Sequence, residues 1–213
     1  MSPRGSIASR LWKSRAPLLR AAYYFFLAGA IVALGYVTYV VVDAQAYQAI
    51  EEAKLPELRL THGPRVVAEG EVIGEIQIPR LDLKAIVVQG ESPKLLRRAV
   101  GHVLKTALPG EPGNVALAGH RDSFFRPLKD IQLGDAITIQ TPDGEFQYQV
   151  ESKEVVLPSD TQVLRPSGQN TLTLVTCFPF YYVGAAPNRF IVRARQIGGL
   201  PAPSPIAEAP LRF

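Results

Sequence analysis

From Ala21 to Val42 the chain reads AAYYFFLAGAIVALGYVTYVVV, a run with no charged residue and almost nothing strongly polar. As a helix it would be roughly 33 Å long at 1.5 Å per residue, enough to cross the hydrocarbon core of a bilayer. A helix buried in a small domain keeps one polar face, and this one has none. A cleavable export signal is the competing reading, because Ala44-Gln45-Ala46 resembles a cleavage site. The apolar region of such a signal is only about 7–15 residues long, so a retained transmembrane helix at residues 21–42 is expected.

Charge orients that helix. Arg4, Arg10, Lys13, Arg15 and Arg20 precede it, residues 1–42 contain no acid, and residues 43–52 contain no Lys or Arg. This asymmetry puts residues 1–20 in the cytoplasm and everything after Asp43 outside, at the cell surface or in a periplasm. The same five residues account for the formal charge of +4: without them 18 of the 23 Lys and Arg face 19 Asp and Glu, a balance of about −1. The basicity is therefore local, and nucleic acid is not an expected partner.

Residues 43–69 follow as a stalk or linker. Their first part, DAQAYQAIEEAKLPELRL, is rich in Ala, Glu and Gln and helix-compatible up to Pro56. From Gly70 the texture changes to short β-type runs separated by turn signals. EVIGEIQIP, KAIVVQG, NVALAGH, DAITIQT, EFQYQVESKEVV, TLTLVTC and RFIVRARQI are the candidate strands. Pro142-Asp143-Gly144 reads as a hairpin turn, and Phe146, Tyr148 and Val150 alternate as a half-buried strand requires. Only SPKLLRR, Ser92 to Arg98, looks helical within this region, with Ser as N-cap and Pro at the first helical position. Many short strands with little helix imply an all-β barrel or sandwich over residues 70–197. The stretch 198–213, GGLPAPSPIAEAPLRF, has no periodicity and is expected to be a disordered Pro-rich tail.

The chain holds one cysteine, Cys177, at the end of a strand-like run. A lone cysteine is most often a small buried hydrophobe. Outside the cytoplasm, however, it cannot form an internal disulfide, and it is then either unused or kept free for chemistry. Arg189 opens the next strand, so a hairpin would bring it to the same end of the sheet as Cys177, with residues 178–188 as a loop beside the pair. His120 closes NVALAGH, and strand ends with their loops are where rigid β scaffolds carry sites. Thiol attack on a peptide carbonyl needs a thiolate, a proton donor for the departing amine, and positive or hydrogen-bonding density for the oxyanion. Cys177, His120 and Arg189 are the residue types for those roles, Arg because it stays charged and presents its donors in a fixed fork.

These residues also carry a resemblance. Thr173-Leu174-Val175-Thr176-Cys177 resembles the TLxTC motif of sortases, Leu117-Ala118-Gly119-His120-Arg121 their histidine segment, and Asn188-Arg189-Phe190-Ile191-Val192 the strand that bears their arginine. The order His, Cys, Arg is theirs, over roughly Gly70 to Ile197. GEIQIPRLDL, KTALPGEPGN, GHRDSFFRPL and VTCFPFYYVGAAPNRF are most similar to class D sortases. The resemblance implies a closed eight-stranded β-barrel with one or two short helices and a cysteine transpeptidase with His120, Cys177 and Arg189 as catalytic residues. It implies cleavage of secreted proteins at an LPxTG-like sorting motif through a thioester, and transfer to an amine on peptidoglycan or a pilin. Thr176, beside the nucleophile, resembles the family's threonine there and is a candidate for substrate binding.

Other chemistries fit less well. Papain-like proteases place Cys before His, and L,D-transpeptidases carry their Cys in an SxGC-like context, whereas Cys177 sits in VTCF. A membrane-tethered β-domain that only binds wall or protein ligands is the alternative of another class; an inert core thiol would react with a thiol reagent only on unfolding. No metal or cofactor is expected, since Glu145, Glu151, Glu154 and Asp160, though readable as calcium ligands, are spaced as solvated acids. His62, in the linker, and His102, after the helix, read as surface or packing residues.

Overall fold

The computed structural model describes residues 7–58, 67–166, 168–182 and 184–201. The chain divides into two compact units, Met1–Asp43 and Ala44–Phe213. One helix, α1 (Ile7–Leu58), supplies residues to both. In the first unit its Tyr24, Phe25, Phe26, Ile31, Val32 and Leu34 are 63–75% exposed. Such a surface suits lipid rather than water, and the helix is long and apolar enough to cross a membrane.

The second unit is a closed barrel of eight strands: β1 (Val72–Ile78), β2 (Leu83–Gln89), β3 (Val100–His102), β4 (Asn114–Ala118), β5 (Ala136–Thr141), β6 (Gly144–Val156), β7 (Thr171–Phe178) and β8 (Asn188–Pro201). They close in the order β1-β2-β3-β4-β7-β8-β6-β5. The β2–β3 and β4–β7 pairs are parallel and the others antiparallel. Alternation along the strands fills the interior: Phe146, Tyr148 and Val150 point inward from β6, while Gln147 and Gln149 between them are exposed. They meet Ile76, Ile78, Leu117, Phe125, Leu128, Ile137, Ile139, Leu172 and Leu174 in one core. Burial there pushes the Tyr148 phenol above its ordinary pKa.

All seven runs expected as strands form. The eighth strand, β3, is only Val-Gly-His, too short for any alternation to show in the sequence. The β5–β6 hairpin turns on Pro142-Asp143, with Thr141 paired to Gly144, whose φ of 151° disfavours any side chain. The expected helix at Ser92–Arg98 shortens to one turn, α2 (Pro93–Leu96), and Ser92 sits at its N-cap without a side-chain hydrogen bond.

Two boundaries differ from the sequence reading. The segment read as a stalk is helical past Pro56, to Leu58, and part of it packs on the barrel. Leu55 is 7% exposed in a second apolar cluster with Val72, Ile86, Val88 and Ala99, flanked by Tyr47 and Leu95. Gln48 bridges two backbone groups, accepting from Ile86 N at 2.7 Å and donating to Arg98 O at 2.6 Å. Glu52 pairs with Lys84 at 2.5 Å. At the other end, β8 continues through residues 198–201, which were read as tail, because Gly144–Gln147 of β6 offers them ladder partners. Residues 202–213, like His62, lie outside the described residues.

Candidate active site

The β7–β8 ladder pairs Cys177 with Arg189, and the alternation of the two strands puts both side chains on the outer face. Their neighbours Thr176 and Phe190 face the other way and are 2% and 9% exposed, whereas Cys177 and Arg189 are half-buried. On the other side of β7, β4 runs parallel with Ala118 opposite Val175. Gly119 N donates to Val175 O at 3.1 Å, so the register continues past the end of β4. The half-buried His120 follows two residues past Ala118, just beyond the end of the strand next to β7. A thiol and a guanidinium thus lie in one row across β7 and β8, with the imidazole just past the end of β4.

Several contacts fix that row. The His120 carbonyl accepts from Phe125 N at 3.0 Å and Ser123 N at 3.4 Å, closing a tight turn behind β4. Phe125 is fully buried against Gly119, where an added Cβ would lie 2.7 Å from the ring. Thr176 Oγ1 donates to Gly119 O at 2.7 Å. This gives Thr176 a different place from the one expected of a substrate contact: its side chain is on the inner face, buried, and its hydroxyl ties β7 to the turn bearing His120.

Arg189 donates from Nη1 to Ala186 O at 3.3 Å and Asn188 O at 3.0 Å. Its Nε and Nη2 have no partner among the described residues, which leaves donors to offer a substrate oxygen. Arg121, immediately after His120, is 7% exposed and spreads its guanidinium over the loop between β7 and β8. It donates to Pro179 O at 2.9 Å, Tyr182 O at 2.6 Å and Gly184 O at 3.1 Å. Sequence reasoning quoted Arg121 in a motif but assigned it nothing, because burial of a charged residue leaves no mark on the local pattern.

Beside the row, the half-buried Ala118 and Val175 form an apolar strip. The connection between β6 and β7 is held at the start of β4 and on β8, where Val163 O accepts from Asn114 Nδ2 at 3.3 Å and Arg193 Nη2 at 3.1 Å. The acids considered as metal ligands are otherwise occupied or solvated. Glu151 pairs with Arg195 at 2.5 Å, Glu145 accepts from Gln140 and Gln147, Asp160 accepts from Gln162 N, and Glu154 is exposed. His102, read as a surface or packing residue, is 1% exposed and has partners that the sequence did not show. Nδ1 lies 2.8 Å from Gln89 Oε1, and Nε2 lies 2.9 Å from Ala107 O and 3.0 Å from Thr106 Oγ1. Burial lowers its pKa, against the opposing pull of the Ala107 carbonyl and of Glu91 and Glu111.

A thiol paired across a ladder with a guanidinium, and an imidazole just past the end of the neighbouring strand, have the makings of acyl transfer through a thioester. Comparison with known proteins gives the same direction. A family model described as a sortase domain matches residues 76–197. The chain is 30% identical over 190 residues to Sortase D of Bacillus subtilis, covering 81% of this chain and 96% of that protein. It is 32% identical over 185 residues to Sortase SrtE1 of Streptomyces coelicolor, covering 75% of this chain and 53% of that one. Among solved structures, a Clostridium perfringens Sortase D5 transpeptidase superposes with a TM-score of 0.63 at 31% identity, over 74% of this chain and 99% of that chain. Sortase E1 from Streptomyces coelicolor, solved with a tripeptide in the active site, gives 0.58 at 32% identity, over 64% and 94%.

Proposed function

The chain belongs to the sortase family, and from that premise we propose that Cys177, His120 and Arg189 perform its reaction. As a sortase it is a cysteine transpeptidase, which breaks a peptide bond and passes the acyl group to a new amine. In the first step the Cys177 thiolate attacks the scissile carbonyl carbon and a C–S bond forms. Arg189 donates to the oxyanion from the guanidinium donors its own loop leaves open. The C–N bond then breaks, and the His120 imidazolium gives its proton to the departing amine. In the second step the acceptor amine attacks the thioester carbonyl, C–N forms, C–S breaks, and the amine proton passes to the neutral imidazole, restoring the starting pair.

Sortases act on sorting-motif substrates and amine acceptors, and the apolar N-terminal helix suits membrane anchoring. For this chain we assign secreted proteins with an LPxTG-like C-terminal motif as donors and peptidoglycan or pilin amines as acceptors. Residues 1–20 are assigned to the cytoplasm, 21–42 to the membrane, and the barrel from residue 70 to the outer side, closing with β8.

The observation that supports this reading is the register that sets Cys177 opposite Arg189, with His120 two residues past the end of the neighbouring β4. The test is acyl-enzyme mass and hydroxylamine-dependent release with an LPxTG-type peptide library. Cys177→Ala should give no acyl-enzyme, since the chain has one cysteine. Arg189→Ala should slow acylation by about 10²–10³, the range for loss of one oxyanion donor. Arg189→Lys should be nearly as slow, because an ammonium keeps the charge without the planar fork. Wild-type acylation in both Arg189 variants would remove the arginine's role.

A further inference from the structure

Arg121 follows His120 in sequence, but its side chain serves the loop between β7 and β8. A guanidinium with 7% exposure ordinarily requires a buried carboxylate. Among the described residues the one acid in contact is Asp122, which touches Nε at 3.3 Å and is itself 77% exposed. The charge is instead met by backbone carbonyls, those of Pro179, Tyr182 and Gly184, with the Tyr182 ring 5.9 Å from Cζ. Those three acceptors lie along the loop from Pro179 to Gly184. Its remaining end, through Ala186 O, and the first residue of β8, through Asn188 O, hold Nη1 of Arg189. One arginine therefore fixes the loop, and the loop fixes the other arginine.

We propose that Arg121 is a positioning residue that locks the loop at residues 178–188 in the conformation aiming the Arg189 guanidinium at the Cys177 reaction centre. The inference deepens the role given to Arg189 above and rests on it. Three carbonyls at three separate points call for a branched, planar donor; the ammonium of a lysine radiates its donors from one atom and cannot bridge them all.

The test needs no substrate, because Cys177 is the only thiol and reports on the charge beside it. The full chain, in detergent micelles, is alkylated with anionic iodoacetate and with neutral iodoacetamide; in each case a new S–C bond forms and iodide leaves. The ratio of the two rates measures how firmly a positive charge is held next to the sulfur. Arg189→Ala should lower the ratio by roughly three- to tenfold at low ionic strength. Arg121→Ala and Arg121→Gln should lower it comparably. Arg121→Lys should keep the melting temperature within a few degrees of wild type and still show the lowered ratio, a split that a merely structural role would not produce. Adding Arg121→Gln to Arg189→Ala should lower the ratio no further, since residues acting through one another are not additive. A wild-type ratio in the Arg121 variants, with a lowered one in Arg189→Ala, overturns the inference and leaves the role of Arg189 standing. So does a multiplicative effect in the double variant. An unchanged ratio in Arg189→Ala removes the underlying reading and the inference with it.

Discussion

His120 and His102 both sit near the C-terminal end of a barrel strand, and their surroundings give them different work. His120 is half-buried just past the end of β4, the strand next to that of Cys177, whereas His102 is enclosed by Gln89, Thr106 and the Ala107 carbonyl. His120→Ala is expected to abolish turnover with little change in melting temperature. His102→Ala should retain acylation per folded molecule and lose stability, because it strands the buried partners of the ring. The lowered pKa of His102 also sets a pH dependence. The fold keeps the ring neutral while the unfolded chain takes up a proton, so its contribution is complete above about pH 6.5 and is lost as pH falls through the folded pKa. The melting temperature of the wild type should therefore drop more steeply between pH 7 and 5 than that of His102→Gln, and equal slopes would remove His102 as the cause. Gly119→Ala is a third case, since its Cβ would press on the fully buried Phe125 ring. Overpacking of this kind costs about 1–3 kcal/mol and would tilt the turn that carries His120, so both stability and acylation should fall. The sequence showed His120, Cys177 and Arg189 as strand-end residues. It could not show that Thr176 faces inward, because its neighbour on the same strand faces out and only the register decides which is which.

At the scale of elements, the strands were legible where strand-type runs extend over five positions or more between turn signals, and β3 was missed for want of length. The β4–β7 parallel pair, which brings the strand end before His120 alongside the strand of Cys177, was not legible at all, because a parallel ladder joins segments far apart in sequence with no turn between them to announce it. The helical character of the segment from Asp43 up to Pro56 was visible, but not its docking. Tyr47, Gln48, Glu52 and Leu55 lie on one side of the helix at spacings of one, four and three residues, in a segment dominated by Ala and Glu. Removing residues 1–60 would uncover Val72, Ile86, Val88 and Ala99 and leave Ile86 N and Arg98 O without the Gln48 amide. Burial of Leu55 alone is worth about 1.5–3 kcal/mol. A fragment of residues 44–201 should therefore melt several degrees above one of residues 61–201 in the same buffer. Equal melting temperatures would mean that the helix adds nothing to the barrel.

For the whole molecule, the decisive asymmetry lies in the placement of charge along the chain. Five Lys and Arg and no acid precede Val42, residues 43–52 carry no Lys or Arg, and the remainder of the chain is close to neutral. Positive flanks are retained on the cytoplasmic side during insertion, and five against none over such short flanks is a strong bias. The reaction proposed for the barrel fits this orientation, because the donors and acceptor amines proposed for it meet only outside. A reporter enzyme that functions only after export, fused behind Pro201, should therefore be active, and the protein should sediment with membranes at its full mass. Replacing Arg10, Lys13, Arg15 and Arg20 with Gln while introducing Lys at residues 44–46 reverses the bias without touching the apolar run. That variant should lose a large part of its reporter activity and its acylation in intact cells, while the detergent-extracted protein acylates at the wild-type rate. Unchanged export in that variant would show that something other than the flanking charges orients the helix, and a soluble, shortened wild-type protein would favour cleavage after Ala46 over a retained anchor.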